Sequence, residues 1–169
     1  MQIQSLLTPE RTCSGLEASG KRSALELLAR TIAQDIPSID ADDLLRRFLA
    51  RERLGSTGIG HGIAIPHCRV NNSLGEAGNN AIGALITLSQ PIEFDAIDAE
   101  PVDILFAMLV PEEAHDEHLK NLAALAGALT RSEFRTRLRA ANTHAALYEA
   151  AVRYLWLHRC TAFVMFKKL

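Results

Sequence analysis

Two stretches of the chain are apolar on successive residues rather than on alternate ones: Ala81 to Leu88 and Val102 to Val110, both rich in Ile, Leu and Val. Such runs fit strands buried on both faces, which happens when helices cover a sheet from two sides. The flanking segments have helical spacing. Leu25, Leu28, Ala29, Ile32 and Ile36 share one helical face, and Leu44, Leu45, Phe48 and Leu49 do so behind Asp40, an N-cap residue type, with Gly55 placed to end this second helix. Leu119, Leu122, Ala123, Ala126 and Leu129 define a third helix beginning near Asp116. A fourth starts at Ser132 with Phe134 and Leu138 inward, and a fifth at Thr143, burying Ala146, Leu147, Ala150, Ala151 and Tyr154. Pro91 to Phe94 reads as a further short strand before an acidic turn at Asp95 and Asp98, and Asn71 to Asn80 as a loop. The expected fold class is α/β: a single domain with a mixed β-sheet sandwiched between helices on both faces.

Chemistry concentrates between Arg51 and Arg69. Four glycines, at 55, 58, 60 and 62, precede a short apolar run, Ile63-Ala64-Ile65, that stops at Pro66 and delivers His67. Clustered glycines let backbone N–H groups converge on an oxygen-rich ligand, which suggests an anion cradle. The standard nucleotide signatures fail here. Gly55 to Gly60 has phosphate-loop spacing but runs into His61-Gly62 instead of Lys-Ser/Thr, and Gly58, Gly60 and Gly62 do not make the dinucleotide fingerprint. What remains is a glycine-rich turn feeding a histidine whose neutral imidazole is a nucleophile or base near neutral pH. Proline pushes the residue before it, Ile65, toward extended geometry, which sets His67 at a strand end.

Glu52-Arg53-Leu54-Gly55-Ser56-Thr57-Gly58-Ile59-Gly60, followed by Gly62-Ile63-Ala64-Ile65-Pro66-His67, closely resembles the phosphorylation site of the mannitol/fructose-type enzyme IIA domains of the bacterial phosphoenolpyruvate-dependent phosphotransferase system. Pro91 to Asp98, Pro101-Val102-Asp103, Leu109-Val110-Pro111 and His118 resemble the nitrogen-regulatory branch of that family. The resemblance runs over roughly residues 1 to 152, so that 1–154 is the expected domain and 155–169 an atypical apolar segment. It implies that a small histidine-bearing carrier, HPr- or NPr-like, passes a phosphoryl group to Nε2 of His67, with Nδ1–H held by an acceptor such as a backbone carbonyl. By the same resemblance Arg51 neutralises charge on the phosphoryl oxygens and His118 hydrogen-bonds them. Arg51 otherwise reads as an exposed charge near a helix end, and His118 as a polar residue in a helix's first turn, where the helix dipole favours an anion. Ser56 and Thr57 are phosphate-binding candidates that equally suit a turn's own backbone. Phosphoryl transfer asks mainly for positioning and electrostatics, so no metal or other cofactor is expected.

The other histidines carry less. His61 reads as solvated surface, and His144 and His158 as surface residues without visible partners. His115 and His118 share a helical face and with His67 or Cys68 would make a weak zinc set, the basis of a histidine-metal hydrolase alternative. No Cys-x-x-Cys or His-Glu-x-x-His pattern supports it.

With 169 residues, 48% hydrophobic and 22% charged, the chain suits one domain with a sizeable core, and its net charge of −2 gives no electrostatic footprint for nucleic acid. Three scattered cysteines, an N-terminus without signal-peptide character and no apolar stretch long enough to span a bilayer lead to the expectation of a cytoplasmic protein that is not membrane-embedded. The terminal segment from Leu155 holds the single Trp and two of the six Phe. It prolongs the last helix and packs across the sheet, buries a patch in a homodimer, or is a sequence aberration. Two function classes then compete: a regulator whose phosphorylation state switches its binding to target proteins, or a sugar-type IIA that hands the group to a transporter's IIB subunit. The absence of a transporter segment and the nitrogen-type motifs favour the regulator.

Overall fold

The computed structural model describes residues 3–71, 81–112 and 116–165, with side chains described for 5–71, 81–112 and 119–158. In chain order these contain β1 (Thr12–Leu16), α1 (Lys21–Asp35), α2 (Ala41–Glu52), β2 (Gly58–Gly60), β3 (Ile63–Ala64), β4 (His67–Val70), β5 (Ile82–Ile92), β6 (Val102–Pro111), α3 (Asp116–Leu129), α4 (Ser132–Ala140) and α5 (His144–Met165). The six strands make one mixed sheet ordered β1-β5-β6-β3-β2, with β4 also on β6. The two continuous apolar runs are its central antiparallel pair.

Alternation along that pair explains why both runs are apolar throughout. Ala84, Ile86, Leu105, Ala107 and Leu109 pack with Leu25, Leu28, Ile32, Leu44 and Phe48 of α1 and α2. Leu85, Ile104 and Phe106 point the other way, onto Leu125, Leu129, Phe134, Leu138, Leu147 and Tyr154 of α3 to α5. Each Leu, Ile or Phe side chain lost from these layers would remove roughly 1.5–3 kcal/mol of burial.

β3 and β4 lie in line along the same edge of β6, both parallel to it. Pro66 separates them because it has no N–H to give, yet its carbonyl accepts the Met108 N–H at 2.9 Å and keeps the edge attached. β2 folds back on β3, and the Ile65 N–H donates to the Thr57 carbonyl at 2.9 Å. Beyond that point β4 meets no further strand among the described residues, which leaves His67, its first residue, at an open edge beside the last turn of α2.

Several details differ from the periodicity. The Pro91 stretch is not a separate strand: β5 continues to Ile92, and a register shift between Thr87 and Ile92 accommodates the proline. β1 has no signature in Thr-Cys-Ser-Gly-Leu: its buried positions, Thr12 and Ser14, are polar, and only Cys13 and Leu16 are apolar. In α3, Leu119 is exposed while Leu125 and Leu129 are fully buried, because the alanine-rich helix offers two overlapping apolar stripes and packing selects the second. α2 starts at the predicted cap, with Asp40 accepting from the Asp43 N–H, and ends at Glu52; Gly55 closes the following turn by donating to the Glu52 carbonyl. Thr143 caps α5 through its hydroxyl, which accepts from the Ala146 N–H at 3.1 Å. That helix extends into the apolar terminal segment: Tyr154 and Leu155 are buried, Trp156 and Leu157 exposed. Most of the loop expected over Asn71 to Asn80, and His115, lie outside the described residues.

Candidate active site around His67

The glycine-rich segment is shaped by close contacts. A Cβ on Gly58 would stand 2.7 Å from Ala96 Cβ, so no side chain fits there without moving the 94–98 turn. Gly62 has φ +79° and lies directly under Arg139, whose guanidinium pairs with both oxygens of Asp103 at 2.8 Å and donates to the His61 carbonyl at 2.8 Å. The turn that leads into β3 is thereby fastened to α4.

At the other end of the short run, both nitrogens of the half-buried His67 ring are engaged. Nδ1 lies 2.7 Å from the Ile65 carbonyl, which can only accept, so Nδ1 carries the proton. Nε2 lies 3.2 Å from Nε of Arg51, which can only donate, so Nε2 presents a lone pair. Arg51 is itself held by Nη1 donating to the Gly55 carbonyl at 2.8 Å. Burial pushes the His67 pKa below its ordinary value, the Ile65 carbonyl pulls it back, and Arg51 pushes it down again. The ring is thus neutral near pH 7, in the tautomer that leaves Nε2 nucleophilic.

The other predicted positions divide. The Ser56 hydroxyl donates to the Phe94 carbonyl at 2.8 Å and accepts from the Gly58 N–H at 3.1 Å. Thr57 is buried, and its hydroxyl and N–H both donate to the Glu52 carboxylate. His118 lies in the first turn of α3, and its side chain is outside those described. Among the described residues no three His, Cys, Asp or Glu gather as a metal site. Burial pushes the neighbouring Cys68 thiol up to about 12, so it stays protonated and unreactive near neutral pH.

Two histidines read as partnerless have partners. His144 Nδ1 accepts from the Ser14 N–H at 2.9 Å. The His158 ring stacks on Tyr154 at 3.9 Å between centroids, with Nδ1 3.0 Å from the Tyr154 carbonyl. His61 is exposed, as expected. Sequence reasoning passed over Glu52, which stands in the quoted motif beside Arg51 and whose buried carboxylate holds Thr57.

Residues 5–152 match the family described as "Phosphoenolpyruvate-dependent sugar phosphotransferase system, EIIA 2". The chain belongs to this EIIA family. It is 42% identical over 152 residues to a nitrogen regulatory protein of Pseudomonas aeruginosa, covering 90% of this chain and 96% of that one. The corresponding protein of Escherichia coli K12 is 40% identical over 149 residues, with 88% of each chain covered. The crystal structure of the nitrogen regulatory protein IIA-Ntr from Neisseria meningitidis shares the fold with a TM-score of 0.78 at 32% identity, covering 89% of this chain and 99% of that one. This EIIA protein is a phosphoryl-accepting regulatory component of the phosphotransferase system, and its family implies a phosphocarrier partner. None of the helices among its described residues is long and apolar enough to cross a membrane.

Proposed function

We propose that Nε2 of His67 is the phosphoryl acceptor, that an HPr- or NPr-like carrier is the donor, and that the phosphorylated protein signals by altered binding to target proteins in the cytoplasm. The observation that carries this reading is the pair of contacts on one ring: a carbonyl at Nδ1 and a guanidinium at Nε2. The first fixes the tautomer; the second sets a cation where phosphoryl oxygens would arrive.

The chemistry follows from the geometry. The lone pair on Nε2 attacks the carrier's phosphorus, the carrier's N–P bond breaks, and its electron pair returns to the carrier's imidazole. Arg51 donates to that same lone pair in the resting site, so its N–H must swing from Nε2 to a phosphoryl oxygen, keeping its proton, as the N–P bond forms. Arg51 then stabilises charge on the group in flight, as positioned donors do in phosphoryl transfer. His118 supplies a second donor from the first turn of α3. Ser56 and Thr57 serve the site by holding the turn, since both hydroxyls are engaged within it. Residues 1–154 are the unit that carries this activity, and 155–169 are an addition that suits self-association as a homodimer.

Incubation with enzyme I, the carrier and labelled phosphoenolpyruvate tests the acceptor. One acid-labile, base-stable label is expected, and its persistence in His67→Ala would refute the assignment. Pull-downs with wild type, His67→Ala and His67→Glu test the output: binding of targets that depends on state supports the regulator, whereas passage of label to a IIB subunit would make the chain a sugar carrier.

A further inference from the structure

Glu52 and Arg51 are consecutive residues in the last turn of α2, Arg51 touching Nε2 of His67 and Glu52 connected to its Nδ1 only through Thr57 and Ile65. From Glu52 a continuous relay runs the other way. Its Oε1 accepts the Thr57 N–H at 3.0 Å and the Thr57 hydroxyl. The Thr57 carbonyl accepts the Ile65 N–H at 2.9 Å. The Ile65 carbonyl receives Nδ1–H of His67 at 2.7 Å. The Glu52 side chain is only 5% exposed, and its Oε2 lies 2.9 Å from Lys21 Nζ. Lys21 also reaches Asp95 at 3.2 Å and sits 4.8 Å above the Phe94 ring, so the carboxylate is braced from α1 as well. Oε2 is buried with that ion pair but no hydrogen bond of its own, and a carboxylate so placed is costly unless its charge is used or fully paired.

We propose that Glu52 is a positioning residue for phosphoryl transfer: through Thr57 and Ile65 it fixes the carbonyl that holds the Nδ1 proton, and its buried negative charge stabilises the ring as it becomes cationic. This rests on His67 being the acceptor. When Nε2 bonds to phosphorus while Nδ1 keeps its proton, the imidazole acquires a positive charge that it lacked in the resting state. A nearby anion lowers the energy of that form and a nearby cation raises it. Arg51 and Glu52 thus divide the work, the cation serving the phosphoryl oxygens and the anion serving the ring. Glu52 acts on the charge of His67 from a buried position and does not present itself to the carrier.

The test is single-turnover transfer from the phosphorylated carrier to wild type, Glu52→Gln, Glu52→Ala and Thr57→Val, with the His67 ring followed by NMR in each. Glu52→Gln keeps an acceptor for Thr57 but removes the charge; Thr57→Val keeps the charge but removes the hydroxyl. Glu52→Ala is expected to slow the transfer step by about tenfold with carrier affinity unchanged. Glu52→Gln should slow it less and move the His67 titration to lower pH, because an anion that favours the protonated ring is gone. Thr57→Val should loosen the Nδ1–H hydrogen bond, seen as faster exchange of that proton, with a smaller shift in titration. If Glu52→Ala does not fold, the other two variants decide. Wild-type rates and an unmoved His67 titration in Glu52→Gln would overturn the proposal. Because those variants would still be labelled on His67, that failure is distinguishable from failure of the acceptor assignment, which only label in His67→Ala would signal.

Discussion

His67 and His144 are the same residue type set against opposite backbone groups. His67 Nδ1 faces a carbonyl and must carry the proton; His144 Nδ1 faces the Ser14 N–H and must not. His67 therefore turns a lone pair at Nε2 toward Arg51, at an open sheet edge. The ring of His144 turns its lone pair inward, where it ties the start of α5 to β1. On the proposed function, imidazole serves as a nucleophile or a fastener according to which nitrogen the main chain claims. The backbone carbonyl two residues upstream then decides the proposed reactivity as much as the ring does.

Deletion separates the two histidines most sharply. His67→Ala should lose all phosphoryl acceptance, whereas His144→Ala should be labelled within about twofold of wild type; a labelling defect in the second would erase the distinction. Next in size, Arg51→Ala should slow acceptance by about 100-fold, the cost typical of one lost charge-stabilising donor, measured by single-turnover transfer. A rate within about threefold of wild type would show that Arg51 only shields the ring.

A pH titration sharpens the same contrast. The folded state holds the His67 pKa below its ordinary value, chiefly by burial, so the Nε2 lone pair is available through neutral pH and is lost only as pH falls through the depressed value. The Hε1 resonance should titrate at lower pH than an unperturbed histidine's, and in Arg51→Ala it should move up, because a neighbouring cation is gone. A midpoint above the ordinary value in wild type would contradict the burial seen here. The smallest effect concerns the fastener: His144→Ala should cost about 1 kcal/mol in chemical denaturation, the worth of one hydrogen bond at a partly buried site.

The sandwich was legible because the runs over 81–88 and 102–110 are apolar on both parities, and the helices because Asp40 and Thr143 are genuine caps. β1 escaped because its pairing with β5, not its own composition, makes it a strand. In α3 the expected Leu122, Ala126 and Leu129 do face the core, while Leu119 and Ala123 are exposed and Leu125 is buried instead, because an alanine-rich helix is apolar over too wide an arc for periodicity to set the face fully. At the site, His67 stood out through its glycines and proline. The partner of His144 could not be read at all, since Ser14 lies 130 residues away. The burial of the Glu52 carboxylate under Thr57 escaped for a different reason. A carboxylate in a charged helix end looks solvated until the turn at 53–57 folds back and delivers Thr57 to it.

The most direct test is a long-range ¹H–¹⁵N NMR spectrum of His67 before and after phosphoryl transfer. A proton on Nδ1 is expected in both states, with phosphorus coupled to Nε2 after transfer. A resting ring protonated on Nε2, or phosphorus found on Nδ1, would contradict this assignment of the two nitrogens.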